Sequence, residues 1–112
     1  MHKYNFKMIP LVQTFGHLEF VLKRDRYSHL RETPNNYTSV CPLNPESVEL
    51  VCSMIDQHME LLSSLYQELG LTPQIPLIHI GADEVFNLAT CQSCQFFQEE
   101  AGTNALYAKF MR

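Results

Sequence analysis

Two short apolar runs bracket a long stretch in which apolar residues return every three or four positions. The first run, Met8-Ile9-Pro10-Leu11-Val12-Gln13-Thr14-Phe15-Gly16, is nearly continuous and stops at a glycine. A run of that kind predicts a strand of a parallel sheet covered on both faces. Leu77-Ile78-His79-Ile80-Gly81 reads the same way. Between them, the stretch from about Pro45 to Leu69 predicts a helix. Val48, Val51, Cys52, Ile55, Met59, Leu62, Tyr66 and Leu69 share one face of it, and that stripe is expected to be core packing. Asn44 suits the N-cap, Pro45 the first helical position, Glu46 and Glu49 the positive end of the dipole, and Gly70 the stop.

The remaining segments are shorter. His17 to Lys23 predicts a short helix after the first strand. Residues 25 to 44 hold Pro34, Asn35, Asn36, Pro42 and Asn44 and read as an irregular surface loop. Thr72, Pro73 and Pro76 mark a turn, and Ala82 to Cys91 reads as a loop after the second strand. Ser93 to Glu100 predicts a short helix, and Thr103 is placed to cap another through Ala105, Leu106, Phe110 and Met111. The order strand, helix, strand, helix is that of an α/β fold with a parallel sheet. Two strands do not make a self-sufficient sheet, so the chain is expected to be a fragment of a larger α/β domain.

Composition narrows the function classes. Hydrophobic residues make up 46% and charged residues 18%, which is globular. Eight basic residues against twelve acidic ones give a net charge of −4, and no basic run exists, which argues against nucleic acid as a partner. No apolar run approaches the ~18 residues of a membrane span. Met1-His2-Lys3-Tyr4-Asn5-Phe6-Lys7 lacks the apolar core of a secretory signal. Cys41, Cys52, Cys91 and Cys94 are irregularly spaced and read as free thiols in a reducing compartment. Asn36-Tyr37-Thr38 fits a glycosylation sequon, read here as chance.

The chemistry concentrates in Ile78-His79-Ile80-Gly81-Ala82-Asp83-Glu84-Val85. A strand runs into a glycine and then delivers two adjacent carboxylates at its carboxyl end, where α/β folds place their active sites. Two close carboxylates disfavour joint ionisation, and a protonated one can act as general acid toward a leaving oxygen. Glycosidic bond cleavage uses that chemistry. The plainer reading is that Asp83 and Glu84 simply open a solvated loop. His79 alternates with Ile78 and Ile80, and a strand histidine is more often a hydrogen-bonded structural residue than a catalyst. Cys91-Gln92-Ser93-Cys94 has the C-x-x-C spacing of zinc or redox sites. Zinc needs further ligands, and neither a second C-x-x-C nor a close histidine follows, so two free thiols at a helix start are expected.

His79-Ile80-Gly81-Ala82-Asp83-Glu84 resembles the H-x-G-x-D-E signature of family 20 glycoside hydrolases, the N-acetylhexosaminidases. The stretch from Leu11 to Leu22, the stretch from Tyr27 to Glu32, and Met54-Ile55-Asp56-Gln57 resemble one branch of that family, in the same order. The resemblance implies a partial (β/α)8 TIM barrel. Phe15-Gly16-His17 would end about the third strand, and the H-x-G-x-D-E segment about the fourth. It implies hydrolysis of terminal N-acetylhexosamine bonds with retention, assisted by the substrate's own acetamido group. Glu84 is then the general acid and base, and Asp83 holds the acetamido group. His17 and His79 line or support the substrate pocket. The implied partner is an amino-sugar glycoside, with no metal, no organic cofactor, no nucleic acid and no membrane. A homodimer is compatible with it, and a cytoplasmic and nuclear location is suggested.

The chain also departs from the family pattern. A full barrel takes about 250 residues. The early sugar-binding arginine has no counterpart, and the chain has no tryptophan for the later sugar clamp. About 60 residues separate Gly16 from His79, roughly twice one unit of such a barrel. Two competing classes remain from the residues: a non-catalytic, barrel-derived carbohydrate-binding or interaction module, and a small zinc or redox protein built on Cys91 and Cys94.

Overall fold

The computed structural model describes residues 8–71 and 77–112. The opening seven residues and the turn expected at Thr72, Pro73 and Pro76 lie outside the described residues. The two apolar runs meet side by side through a parallel bridge between Leu11 and His79. The Val12 N–H donates to the His79 carbonyl (2.8 Å), and the His79 N–H donates to that of Pro10 (2.9 Å). The Thr14 hydroxyl adds a bond to the Ile80 carbonyl at 2.9 Å. The expected two-sided burial is not found. Val12, Thr14 and Phe15 are buried, while Ile9, Leu11, Leu77 and Ile80 are 41–61% exposed. The two expected strands are extended segments that share one isolated bridge. Val12 apart, burial is confined to their carboxyl ends, where the consecutive Thr14 and Phe15 are both covered.

Those covered ends meet a core of Phe15, Leu18, Leu22, Leu30, Val40 and Ala82. Helix α1 (Glu19–Leu22) follows the first extended segment, then a 3-10 helix at Asp25–Leu30. Strands β1 (Arg31–Thr33) and β2 (Asn36–Val40) form an antiparallel hairpin, with Thr33 opposite Asn36, Arg31 opposite Val40, and an irregular register between. This corrects the surface-loop reading of residues 25 to 44. Leu30, Glu32, Ser39 and Val40 are buried there. Pro34 and Asn35 form the tight turn of a hairpin, and they mark its tip without implying structureless flanks. The hairpin is tied to the first segment by the Leu18 N–H on the Thr38 carbonyl (2.9 Å) and by Arg31 Nε on the Leu22 carbonyl (2.8 Å).

Helix α2 (Pro45–Glu68) forms as its sequence predicts, and the Asn44 side chain caps it by accepting the Glu46 N–H at 3.0 Å. Its stripe is core only in part. Val51 and Leu62 are buried and Met54 touches the core cluster, but Val48 and Leu69 are 41% and 50% exposed. Its 24 residues span about 36 Å and outrun the core beneath them. Helices α3 (Gln92–Ala101) and α4 (Thr103–Phe110) are separated by Gly102 at φ 88°. Thr103 is the first helical residue and not the cap expected of it. From α4, Phe110 and Tyr107 stack on Phe15 with ring centroids 4.3 and 5.5 Å away. Among the described residues, large hydrophobic side chains stay uncovered, with Phe86 at 75% and Leu61 at 67% the most exposed. Among the described residues no helix is long and apolar enough to cross a membrane.

Phe15 is fully buried at the junction of the two bridged segments, the core and α4. Phe15→Ala is expected to lower the unfolding free energy by about 3–5 kcal/mol in urea denaturation. Phe96→Ala, at a position 62% exposed, should change it by no more than about 0.5 kcal/mol. Equal effects at the two sites would remove Phe15 from the centre of the core.

Candidate active site

The parallel register brings the ends of the two extended segments level, so that Phe15-Gly16-His17 lies against Ala82-Asp83-Glu84. Gly16 makes this approach possible. A Cβ there would sit 2.6 Å from the Asp83 carbonyl oxygen and 3.2 Å from that of Glu84. His17, Ala82 and Glu84 all have positive φ (56°, 71° and 50°), and Gly81 does too, at 65°. Left-handed backbone costs a non-glycine residue about 1–2 kcal/mol, and such strain gathers where a chain must present side chains in a particular way.

Several bonds hold the strained turn. The Gly81 N–H donates to His79 Nδ1 at 3.0 Å, and the Phe86 N–H donates to the Glu84 carbonyl at 3.0 Å. The Tyr107 hydroxyl, reaching in from α4, donates to the Ala82 carbonyl at 2.8 Å. Ala82 itself is buried and belongs to the core cluster, so the residue before the carboxylate pair is fixed from below.

The side chains that emerge from this turn converge. His17 Nε2 lies 3.1 Å from Glu84 Oε2, and donor atoms of His17, Asp83 and Glu84 all lie within 4.8 Å of one another. An imidazole against a carboxyl group can hold, orient or exchange one proton. The trio is open to water, with the Glu84 side chain 59% exposed. One nitrogen and two carboxylates could face a cation, but none of the three is buried and nothing encloses one.

Of the four residues expected from sequence, His17, Asp83 and Glu84 thus come together. His79 is exposed, and its ring accepts the Gly81 N–H, which supports the turn from one residue group away. The bonds of Thr14 and Tyr107 escaped sequence reasoning, and Gly16 was read as the end of a strand without the close approach it permits. Tyr107 lies 25 residues from the carbonyl it binds, and a tyrosine on a helical pattern gives no sign of such a bond. A second group of donors, Glu32, Cys41, Cys91 and Cys94, gathers beside the hairpin, away from this trio.

Comparison with known proteins bears on what these strand ends are. Bovine (Bos taurus) Hexosaminidase D is 42% identical to the chain over 100 residues, covering 88% of the chain and 26% of the relative. Human (Homo sapiens) Hexosaminidase D is 40% identical over 108 residues, covering 95% of the chain and 20% of the relative. No protein-family model matches the chain, and no solved structure matches it. By sequence, then, the polypeptide is of the hexosaminidase kind. More narrowly it is hexosaminidase D-like along most of its length, while spanning only a fifth to a quarter of those curated relatives.

The close passage at Gly16 makes a direct prediction. Gly16→Ala forces a Cβ against two backbone carbonyls and is expected to destabilise the fold by about 1–3 kcal/mol, read by urea denaturation. A variant as stable as the parent would mean that the two strand ends do not approach this closely.

Proposed function

We propose that this chain carries the acid-bearing strand ends of a β-N-acetylhexosaminidase of the family 20 type, within a (β/α)8 barrel. The observation that carries the reading is the approach of His17 Nε2 to Glu84 Oε2 at 3.1 Å, at the level ends of two parallel segments, with Asp83 beside them. Its similarity to Hexosaminidase D supports the substrate class. The exposed outer residues Ile9, Leu11, Leu77 and Ile80 suit strands with further neighbours.

In this mechanism the substrate's 2-acetamido oxygen attacks the anomeric carbon while the glycosidic bond breaks. Glu84, as the acid, gives its proton to the departing oxygen. Asp83 takes the acetamido N–H and stabilises the positive charge that develops on the ring so formed. Glu84, now a carboxylate, draws a proton from water as it attacks the same carbon, and the acetamido group leaves. The product keeps the original configuration, and Glu84 is returned to its acid form. His17 holds the Glu84 carboxyl group in place. Acid catalysis of this kind works in a site screened from bulk solvent, which admits the one water that reacts. With Glu84 59% exposed, closure would need walls beyond the described residues, and turnover is accordingly assigned to the longer protein.

The test compares chromogenic N-acetyl-β-galactosaminide and N-acetyl-β-glucosaminide with a matching β-glycoside that lacks the acetamido group. The full-length protein should cleave one or both of the first two and spare the third. Glu84→Gln should lower kcat by about 10²–10⁴-fold with little change in KM, and Asp83→Asn should also lower kcat. Unchanged turnover in Glu84→Gln would take the acid role from Glu84. A folded protein inactive on every substrate would leave a non-catalytic carbohydrate-binding module as the reading.

A further inference from the structure

The second cluster of donors sits outside the strand ends and is built from three separate parts of the chain. Glu32 comes from β1, Cys41 directly follows β2, and Cys91 and Cys94 open α3. Cys41 Sγ lies 3.7 Å from Cys91 Sγ and 3.6 Å from Cys94 Sγ, and Cys94 Sγ lies 3.5 Å from Glu32 Oε2. One donor atom from each of the four residues lies within 4.8 Å of all the others. A tetrahedral zinc ion with its usual bond lengths sets its sulfur ligands about 3.8 Å apart and its sulfur and oxygen ligands about 3.5 Å apart. The three separations match those edges.

We propose that Glu32, Cys41, Cys91 and Cys94 bind one zinc ion as a closed, structural site.

Glu32 is the observation that separates a metal site from a chance meeting of thiols. It is only 2% exposed. Its Oε1 accepts the N–H groups of Thr90 (2.7 Å) and Cys91 (3.0 Å), which leaves Oε2 aimed at the sulfurs. Without a cation, the Cys94 thiol donates to Oε2, and loss of a proton from any of the three thiols would set a second negative charge beside the buried carboxylate. A divalent ion reverses that conflict, since it takes thiolates and a carboxylate as ligands and displaces the thiol protons. Three thiolates and one carboxylate carry the same formal charge as the four thiolates of a common structural zinc site.

The surroundings fit the same role. Cys91 is the N-cap of the ten-residue α3 and Cys94 lies in its first turn, so one helix start presents both sulfurs to the cluster. The two N–H bonds to Oε1 orient Glu32 for single-oxygen ligation. The C-x-x-C pair alone lacked ligands in sequence. The hairpin supplies the other two from 59 and 53 residues away.

Bound zinc would pin the hairpin to the start of α3, and with it the far end of the segment that leaves Asp83 and Glu84. The proposal does not depend on the hydrolytic activity, and its test reads metal and spectra only. The full natural chain, untagged and purified with a thiol reductant, is assayed for metal by mass spectrometry. About one zinc per chain is expected. Replacement by cobalt(II) should give the sulfur-to-metal charge-transfer and strong d–d bands of a tetrahedral thiolate site. Cys91→Ser and Cys41→Ser should each lose those bands. Glu32→Gln should keep the charge-transfer bands and bind zinc at least tenfold more weakly. Cys52→Ser, at the exposed cysteine of α2, should match the parent. Because the unsubstituted chain carries the spectroscopic readout, a variant that fails to fold does not decide the matter. A parent chain with no zinc and no cobalt–thiolate bands would overturn the proposal. So would an intact mass two hydrogens light from a disulfide among these cysteines in the reduced preparation, or metal retained undiminished by both Cys41→Ser and Cys91→Ser.

Discussion

Two backbone hydrogen bonds join Pro10–Val12 to His79, and the rest of the molecule is arranged around the register they set. With Leu11 beside His79, the two segments run parallel and reach their ends together. That register places Gly16 under Asp83, brings Phe15 and Ala82 into one core, and lets Tyr107 reach the Ala82 carbonyl. A slip of one residue would turn every side chain of one segment to its other face and part His17 from Glu84. The carboxylate pair is positioned chiefly by main chain, with glycine at the tightest approach and left-handed residues where the turn must bend.

The segment that follows the carboxylates is held at both of its ends by buried groups from elsewhere. At its start, Ala82 is locked in the core and bonded by Tyr107. At its finish, Thr90 and Cys91 give their N–H groups to Glu32. Between these anchors, Asn87 bonds the Thr38 hydroxyl of the hairpin at 3.0 Å, and Ala89 is buried at φ 61°. The hairpin thereby serves as the common platform for the two clusters of chemically capable residues. It lies on the one stretch whose sequence promised least.

Residues that carry their own local reasons were legible in the sequence. Helix α2 announced itself through its cap, its first-turn proline and acid, and its periodic stripe. The carboxylate pair of Gly81-Ala82-Asp83-Glu84 stood out because an apolar run feeding two carboxylates matches a known signature. The buried strand expected before it is an exposed extended segment with one bridge residue, since an apolar run does not say whether anything covers it. The hairpin was missed because Pro34, Asn35 and Asn36 serve loops and hairpin tips alike, and only its tertiary contacts decide between them. The stripe of α2 was read as core because periodicity tells which face of a helix is apolar, not whether anything covers it. Glu32 and Cys41 gave no sign at all, since nothing in one dimension marks residues that meet from more than 50 positions away.

The parallel pairing also bears on time. The bond from Thr14 to Ile80 closes a stretch of 66 residues. Contacts so far apart in sequence form only after the entropy of that closure has been met, whereas the hairpin and α2 draw on neighbours. The strand ends that carry His17, Asp83 and Glu84 should therefore assemble late along the folding route. Changes at such late-forming positions leave the rate of folding nearly untouched and fall on the rate of unfolding. Natural variation at these strand ends would thus be felt as a shorter or longer lifetime of the native state, while the ability of the chain to reach that state rests on the local elements around it.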